Sequence, residues 1–303
     1  MANWAVLAIL GAASFGIVSI IDSHLLTRKM PGIRAYFLLV SPFQLVYSLV
    51  FLFLFPLPAG TDIGIIVIAV ISVVIRVSAL IIMMYTLLKE EVSQVVPIVY
   101  TYPVFVAIMA MPLLGETLDS LQWLAIIVVV IGAVAVSFRL SSTGSLSWRG
   151  RSLLLLLGAS LLLALADITA KHVMNYIQPW NMFWINGLCI SGMFILISLR
   201  RQVLQQIGGI KQVRTTMFLL ALNVGVLGPV TMLMVLLALQ AGPVSLVSTV
   251  MGGSRPVFVF IYAFILSRVF PGFIRWHADG RMLILRLVAI AMIAGGVAVI
   301  QLG

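Results

Sequence analysis

Pro103-Val104-Phe105-Val106 recurs as Pro256-Val257-Phe258-Val259, and each tetrapeptide holds the same place in a longer series. The first series runs Leu10-Gly11-Ala12, His24, Pro31, the tetrapeptide, then Gly132-Ala133-Val134-Ala135-Val136. The second runs Leu157-Gly158-Ala159, His172, Pro179, the tetrapeptide, then Gly295-Gly296-Val297-Ala298-Val299. The His-to-Pro step is seven in both copies, 31 − 24 and 179 − 172. The chain is therefore written twice, with insertions between the later landmarks. Both copies are almost entirely apolar.

Hydrophobic residues make up 63% of the chain and charged residues 9%. A soluble domain carries roughly a quarter of its residues charged, so a soluble globule is excluded. The apolar stretches must face lipid, and about 20 apolar residues cross a bilayer as one helix. Ten stretches qualify: 4–21, 35–55, 64–87, 92–113, 121–138, 152–170, 180–199, 216–239, 244–266 and 283–302. Each copy holds five. Because five is odd, the second copy enters the bilayer from the opposite face. The expected fold is all-α and integral to the membrane, with ten transmembrane helices as two inverted five-helix repeats. Residues 1–140 form the first repeat, 141–150 the connection and 151–303 the second repeat. Two such repeats are the usual build of a secondary transporter, whose site lies between them.

The first stretch reads as a span, since no Lys or Arg precedes Arg28 and it has a counterpart in the second repeat. The only cysteine, Cys189, admits no intrachain disulfide. The net charge of +10 belongs to loops rather than to a nucleic-acid-binding domain. Arg28, Lys29, Arg34, Lys89, Arg139, Arg149, Arg151, Arg200, Arg201, Lys211, Arg214, Arg268, Arg275 and Arg281 fall in odd-numbered loops. The even loops offer Lys171 alone. The positive-inside rule then puts the odd loops in the cytoplasm and both termini outside. Metalloprotease, Walker, nucleophile-elbow and dinucleotide signatures are all missing. Neither an enzyme nor a cofactor site is expected, and the methionines read as soft packing rather than metal ligands.

One segment adds a resemblance. Lys89-Glu90-Glu91-Val92-Ser93 leads through Pro97 and Pro103 to Leu113-Leu114-Gly115-Glu116-Thr117-Leu118 and on to Gly132. This pattern resembles the EamA-like module of the drug/metabolite transporter superfamily. The resemblance implies a ten-helix secondary transporter in a cell inner (plasma) membrane, driven by exchange or an ion gradient. The second repeat departs from the pattern. It has Leu266-Ser267-Arg268-Val269 where the Leu-Gly-Glu turn belongs, then an insertion with Pro271, Trp276 and His277. The family also implies cytoplasmic termini, opposite to the charge bias.

An ionisable side chain in the bilayer interior costs about 2.5–3.5 kcal/mol on insertion scales, so each one marks a candidate site. Arg76 stands mid-stretch, and so does Arg255, within Met251-Gly252-Gly253-Ser254-Arg255-Pro256. Two glycines and a proline around Arg255 predict a locally broken helix that exposes backbone to a cavity. Arginine keeps its charge when buried and offers a planar fork to a carboxylate or phosphate. One reading has Arg255 binding an anion with help from Arg76, alongside Tyr100, Thr101, Gly252, Gly253 and Ser254. The other has each arginine neutralised by a buried acid, with Asp167 the obvious one. Asp167 is also a candidate for a coupling ion such as H+. Asp22, His24, Lys171 and His172 close related helices and read as headgroup-level anchors or proton carriers.

Tyr100 and Tyr102, two apart, should diverge by about 200° on a continuous helix. Asn186 and Asn223 suit interhelical bonding. Glu116 should cap the start of the helix that follows it. Gly132-Ala133 and Gly295-Gly296 should let the fifth and tenth helices pack closely, on neighbours or in a homodimer. The expected function is secondary transport of a small polar or anionic metabolite, an amino acid or organic acid. An anionic-lipid flippase and a non-transporting membrane partner subunit are the alternatives.

Overall fold

The structure is a computed structural model that describes residues 4–87, 95, 98–137, 150–210, 213–269 and 280–302. Of the residues named above, Lys89, Glu90, Glu91, Val92, Ser93, Pro97, Arg139, Arg149, Lys211, Pro271, Arg275, Trp276 and His277 lie outside them. All described elements are helical. In chain order they are α1 (Trp4–His24), α2 (Ile33–Leu54), α3 (Ile63–Leu87), α4 (Tyr102–Leu114), α5 (Ser120–Ser137) and α6 (Gly150–Val173). Then come α7 (Pro179–Ser198), α8 (Arg201–Gly208), α9 (Val213–Leu220), α10 (Gly228–Ala241), α11 (Val244–Val269) and α12 (Gly280–Leu302). Two π-helical segments interrupt the pattern, Leu25–Lys29 after α1 and Ala221–Leu227 between α9 and α10.

Among the described residues, eight helices are long and apolar enough to cross a membrane, with α9, the π segment and α10 forming one continuous span, Val213–Ala241. Their outward faces are apolar, as at Phe53, 82% exposed, and Leu196, 83% exposed. Water would not tolerate such faces, whereas acyl chains do. In the stretch 92–113, Val95, Ile98 and Val99 are helical, and Tyr100 and Thr101 form a turn before α4 in which the Thr101 N–H and Oγ1 both donate to the Ile98 carbonyl.

The halves of the chain are interleaved. α2 packs on α7, α3 on α6, α4 on α6 and α11, α5 on α11 and α12, and α1 on α10 and α11. Small residues permit the closest crossings. A Cβ on Gly132 would lie 2.9 Å from the Ala289 carbonyl, and one on Gly296 would lie 2.5 Å from Val129 Cγ2. Gly132 and Gly296 thus join α5 to α12 within one chain, while Gly295 faces open space. The α2–α7 seam is aromatic. Phe55 stacks on Trp180 at 5.2 Å and Tyr47 on Phe183 at 5.1 Å, while Asn181 and Trp184 donate to the Phe55 carbonyl.

A clamp closes the end of the molecule that holds the short loops. Glu116, in the turn after α4, accepts hydrogen bonds from the Val244 and Ser245 backbone N–H groups and from the Ser245 hydroxyl. It therefore caps α11, not the α5 that follows it in sequence. The Lys171 ammonium, at the end of α6, donates to the carbonyls of Leu239, Gln240 and Gly242. The two charges complement the helix ends that meet at Gly242: an anion at the N-terminus of α11 and a cation at the C-terminus of α10.

Candidate functional site

α3, α4, α6 and α11 meet around a chain of polar side chains. Arg76 Nη2 lies 2.9 Å from Asp167 Oδ1. The Ser248 hydroxyl donates to Asp167 Oδ2 at 3.0 Å, and the Tyr102 hydroxyl donates to the Ser248 carbonyl at 3.3 Å. The Ser72 hydroxyl donates to the Ala166 carbonyl at 2.9 Å and ties α3 to α6 one residue before the acid. Each link joins different helices, so the network can exist only in the folded bundle. Buried charge is tolerated here because it is paired and hydrogen-bonded.

Arg255 differs. Its guanidinium stands over the Phe15 ring of α1, 3.9 Å from the centroid. Among the described residues it forms no ion pair and no hydrogen bond, and its Nε is buried without a partner. A ring face gives a desolvated cation about 2 kcal/mol, but it offers no lone pair to the fork of N–H donors. Arg255 lies within electrostatic reach of Tyr100 and Tyr102, and Tyr102 also senses Asp167 and Arg76. The two arginines, the acid and both tyrosines therefore belong to one region.

Two sequence expectations are corrected here. Helix α11 runs unbroken through Met251–Pro256. Pro256 removes one N–H from the ladder, opposite the Gly252 carbonyl, without ending the helix. The glycines serve approach instead. A Cβ on Gly252 would meet Pro103 Cγ at 3.0 Å and Tyr102 at 3.1 Å, and one on Gly253 would meet Val129 Cγ1 at 2.2 Å. The backbone break falls in the first copy, at Tyr100–Thr101. That turn also answers the argument that Tyr100 and Tyr102 diverge: helical spacing does not apply across it, and Arg255 acts on both.

Ser254 is buried beside Arg255, at 8% exposed. The Asn223 amide bonds across helices, donating to Asp22 at 2.5 Å, whereas the Asn186 amide donates to the Met182 carbonyl of its own helix. His172 packs on Tyr176 at 5.4 Å. Phe15 was not a sequence candidate. Its only signal is Gly16 beside it, which lets α1 approach Phe258 and Tyr262 of α11.

Two cavities flank the bundle. One, of about 560 Å³, opens where α1 ends and is lined by His24, Thr27, Arg28, Lys29, Gln206 and Thr216 among others. The other, of about 450 Å³, is an apolar side cleft between α2 and the second π segment, lined by Pro42, Phe43, Val46, Tyr47, Ala221, Gly225 and Val226.

Residues 2–138 match the model of the EamA-like transporter family, part of the drug/metabolite transporter superfamily. The chain is a multi-pass membrane protein similar to members of that family, which are transporters rather than enzymes. No match was found among the curated proteins. A solved crystal structure of a protein shares the fold with a TM-score of 0.68 at 14% identity, covering 98% of this chain and 94% of that one.

Proposed function

We propose that this protein is a secondary active transporter in a cell inner (plasma) membrane that moves a small anionic or polar metabolite, an amino acid or organic acid, by alternating access. One observation carries the reading: Arg255 is a membrane-embedded cation with no acid partner among the described residues. A charge held out of water needs a counter-charge, and a substrate carboxylate or phosphate supplies one. Tyr100, Thr101 and Ser254 would line the anion's site, and Arg76 would be reached only by displacing Asp167. Gly252 and Gly253 contribute by bringing α4 and α5 up to the arginine's helix.

Alternating access needs two related bundles. In this proposal the eight long spans, with α4 and α5, make ten crossings arranged as two inverted repeats, 1–140 and 151–303. The helix pairing supports it. α3 on α6 is answered by the span ending in α10 on α1, and α4 on α6 by α11 on α1. The pairs α2–α7, α4–α11 and α5–α12 each map onto themselves under the same exchange.

A flippase for an anionic lipid is the second reading, favoured by the apolar side cleft between α2 and the second π segment. A non-transporting partner subunit would have both arginines neutralised, and Arg255 lacks that feature. The test is uptake of labelled organic acids and amino acids into proteoliposomes, against headgroup accessibility of a labelled anionic lipid. Uptake lost in Arg255→Gln supports the transporter. Lipid translocation without uptake supports the flippase.

A further inference from the structure

If the protein transports, something must drive it, and Asp167 is committed to Arg76. A second carboxylate is not committed. Asp22 ends α1 inside the first membrane span and has no cationic partner among the described residues. One of its oxygens, Oδ1, takes both available donors: the Tyr36 hydroxyl of α2 and the Asn223 amide of the second π segment. Both donors are neutral and buried, Tyr36 at 7% and Asn223 at 1% exposed. Asn223 Oδ1 is itself buried with no partner. Two acceptors thus sit together, a carboxylate and an amide oxygen, and the site lacks one positive charge and one donor.

The surroundings fit a moving part. The two π-helical segments described both adjoin Asp22: Leu25–Lys29 follows it, and Ala221–Leu227 carries Asn223. Such segments hold loosened backbone bonding and recur at functional sites. The vestibule lined by His24, Thr27, Arg28 and Thr216 opens at the same end of α1, two residues beyond Asp22. The charged groups of the neighbouring elements are His24 at the end of α1, Arg28 and Lys29 after it, Arg34 on α2, Arg214 on α9 and Arg255 and Arg268 on α11; the second π segment and α10 carry none. None of these pairs with Asp22.

We propose that Asp22 binds the coupling proton, in a site completed by Tyr36 and Asn223. The coupling role rests on the transport reading; the binding itself does not. A hydronium in the vestibule gives its proton to Asp22 Oδ2, the oxygen that neither donor uses, and leaves water behind. The new O–H supplies the missing donor to the Asn223 amide oxygen, which an amide can present by turning over. The charge at the end of α1 disappears, and the contact between α1 and the π segment changes from ionic to neutral. A sodium ion fits poorly, since hard cations collect about six or more oxygens, more than the four that Asp22, Asn223 and Tyr36 bring together.

The test needs no substrate. Infrared difference spectra of the protein in bilayers, stepped in pH, report the C=O stretch of a protonated carboxyl. The parent should show a titrating band that is absent in Asp22→Asn. Asn223→Ala keeps the acid, and its band should move in frequency and midpoint. A band unchanged in both variants overturns the proposal. Loss of the parent band when potassium is replaced by sodium overturns it as well, because a metal ion then holds the site. Because transport is not read, a negative result here leaves the uptake test intact, and the reverse is also true.

Discussion

Arg76 and Asp167 meet at 2.9 Å between α3 and α6, while Arg255 on α11 reaches no carboxylate among the described residues. The bundle therefore treats its two central arginines differently. One is structural charge, balanced within the protein. The other is charge left over.

Removing one partner of a buried pair leaves the other uncompensated, at about 3–5 kcal/mol. Asp167→Asn should lower the melting temperature of the purified protein strongly. The double variant Arg76→Gln with Asp167→Asn should recover much of the loss, because no lone charge remains. A double variant no better than the single one would show that Asp167 does not act through Arg76.

Close helix approach makes a sharp contrast among glycines. Gly253→Ala places a Cβ 2.2 Å from Val129 Cγ1, and Gly132→Ala places one 2.9 Å from the Ala289 carbonyl. Each should cost about 1–3 kcal/mol through overpacking. Gly295→Ala meets nothing within 4 Å and should be neutral or slightly stabilising through helix propensity. Thermal melts of the three variants side by side check the ordering.

Glu116 is predicted to matter for a helix far away in sequence. Glu116→Ala removes the acceptor from the first amides of α11 and should cost about 1–2 kcal/mol, as other lost N-caps do. Amide exchange should rise at Val244 and Ser245 and stay unchanged at the start of α5. Faster exchange at α5 instead would restore the local cap that the sequence alone suggests.

The Phe15 ring holds Arg255 in place. Phe15→Leu keeps the bulk and removes the π face, worth about 1–2 kcal/mol for a desolvated cation. Anion affinity should change in this variant while affinity for neutral ligands stays constant. Equal effects on both would assign Phe15 to packing alone.

These contrasts also show what the sequence could say. The repeat, the spans and both membrane arginines are legible because hydropathy and periodicity are local properties. The closeness of Gly132 and Gly296 is legible as small residues where helices must cross. Asp167 is legible as an acid for an arginine, but which arginine it pairs with is not, nor are the target of Glu116 and the ring beneath Arg255, since each is a contact between distant helices whose rotation about their own axes the sequence leaves open. The backbone break was placed in the wrong copy. Gly252-Gly253 and Pro256 look like a breaker, but α11 is continuous through them and the glycines meet Val129, Pro103 and Tyr102 closely. The turn at Tyr100–Thr101 carries no glycine to announce it.

The central claim is that Arg255 awaits an anion, and ligand-induced stabilisation tests it most directly. A ligand that binds only the folded state at a hundred times its Kd adds about 2.7 kcal/mol of stability. Thermal shifts of the detergent-purified parent and of Arg255→Gln should be measured against matched anionic, zwitterionic and cationic metabolites. Anions should stabilise the parent and lose that effect in the variant. Anions that stabilise both proteins equally, or cations that do so in their place, would contradict the account.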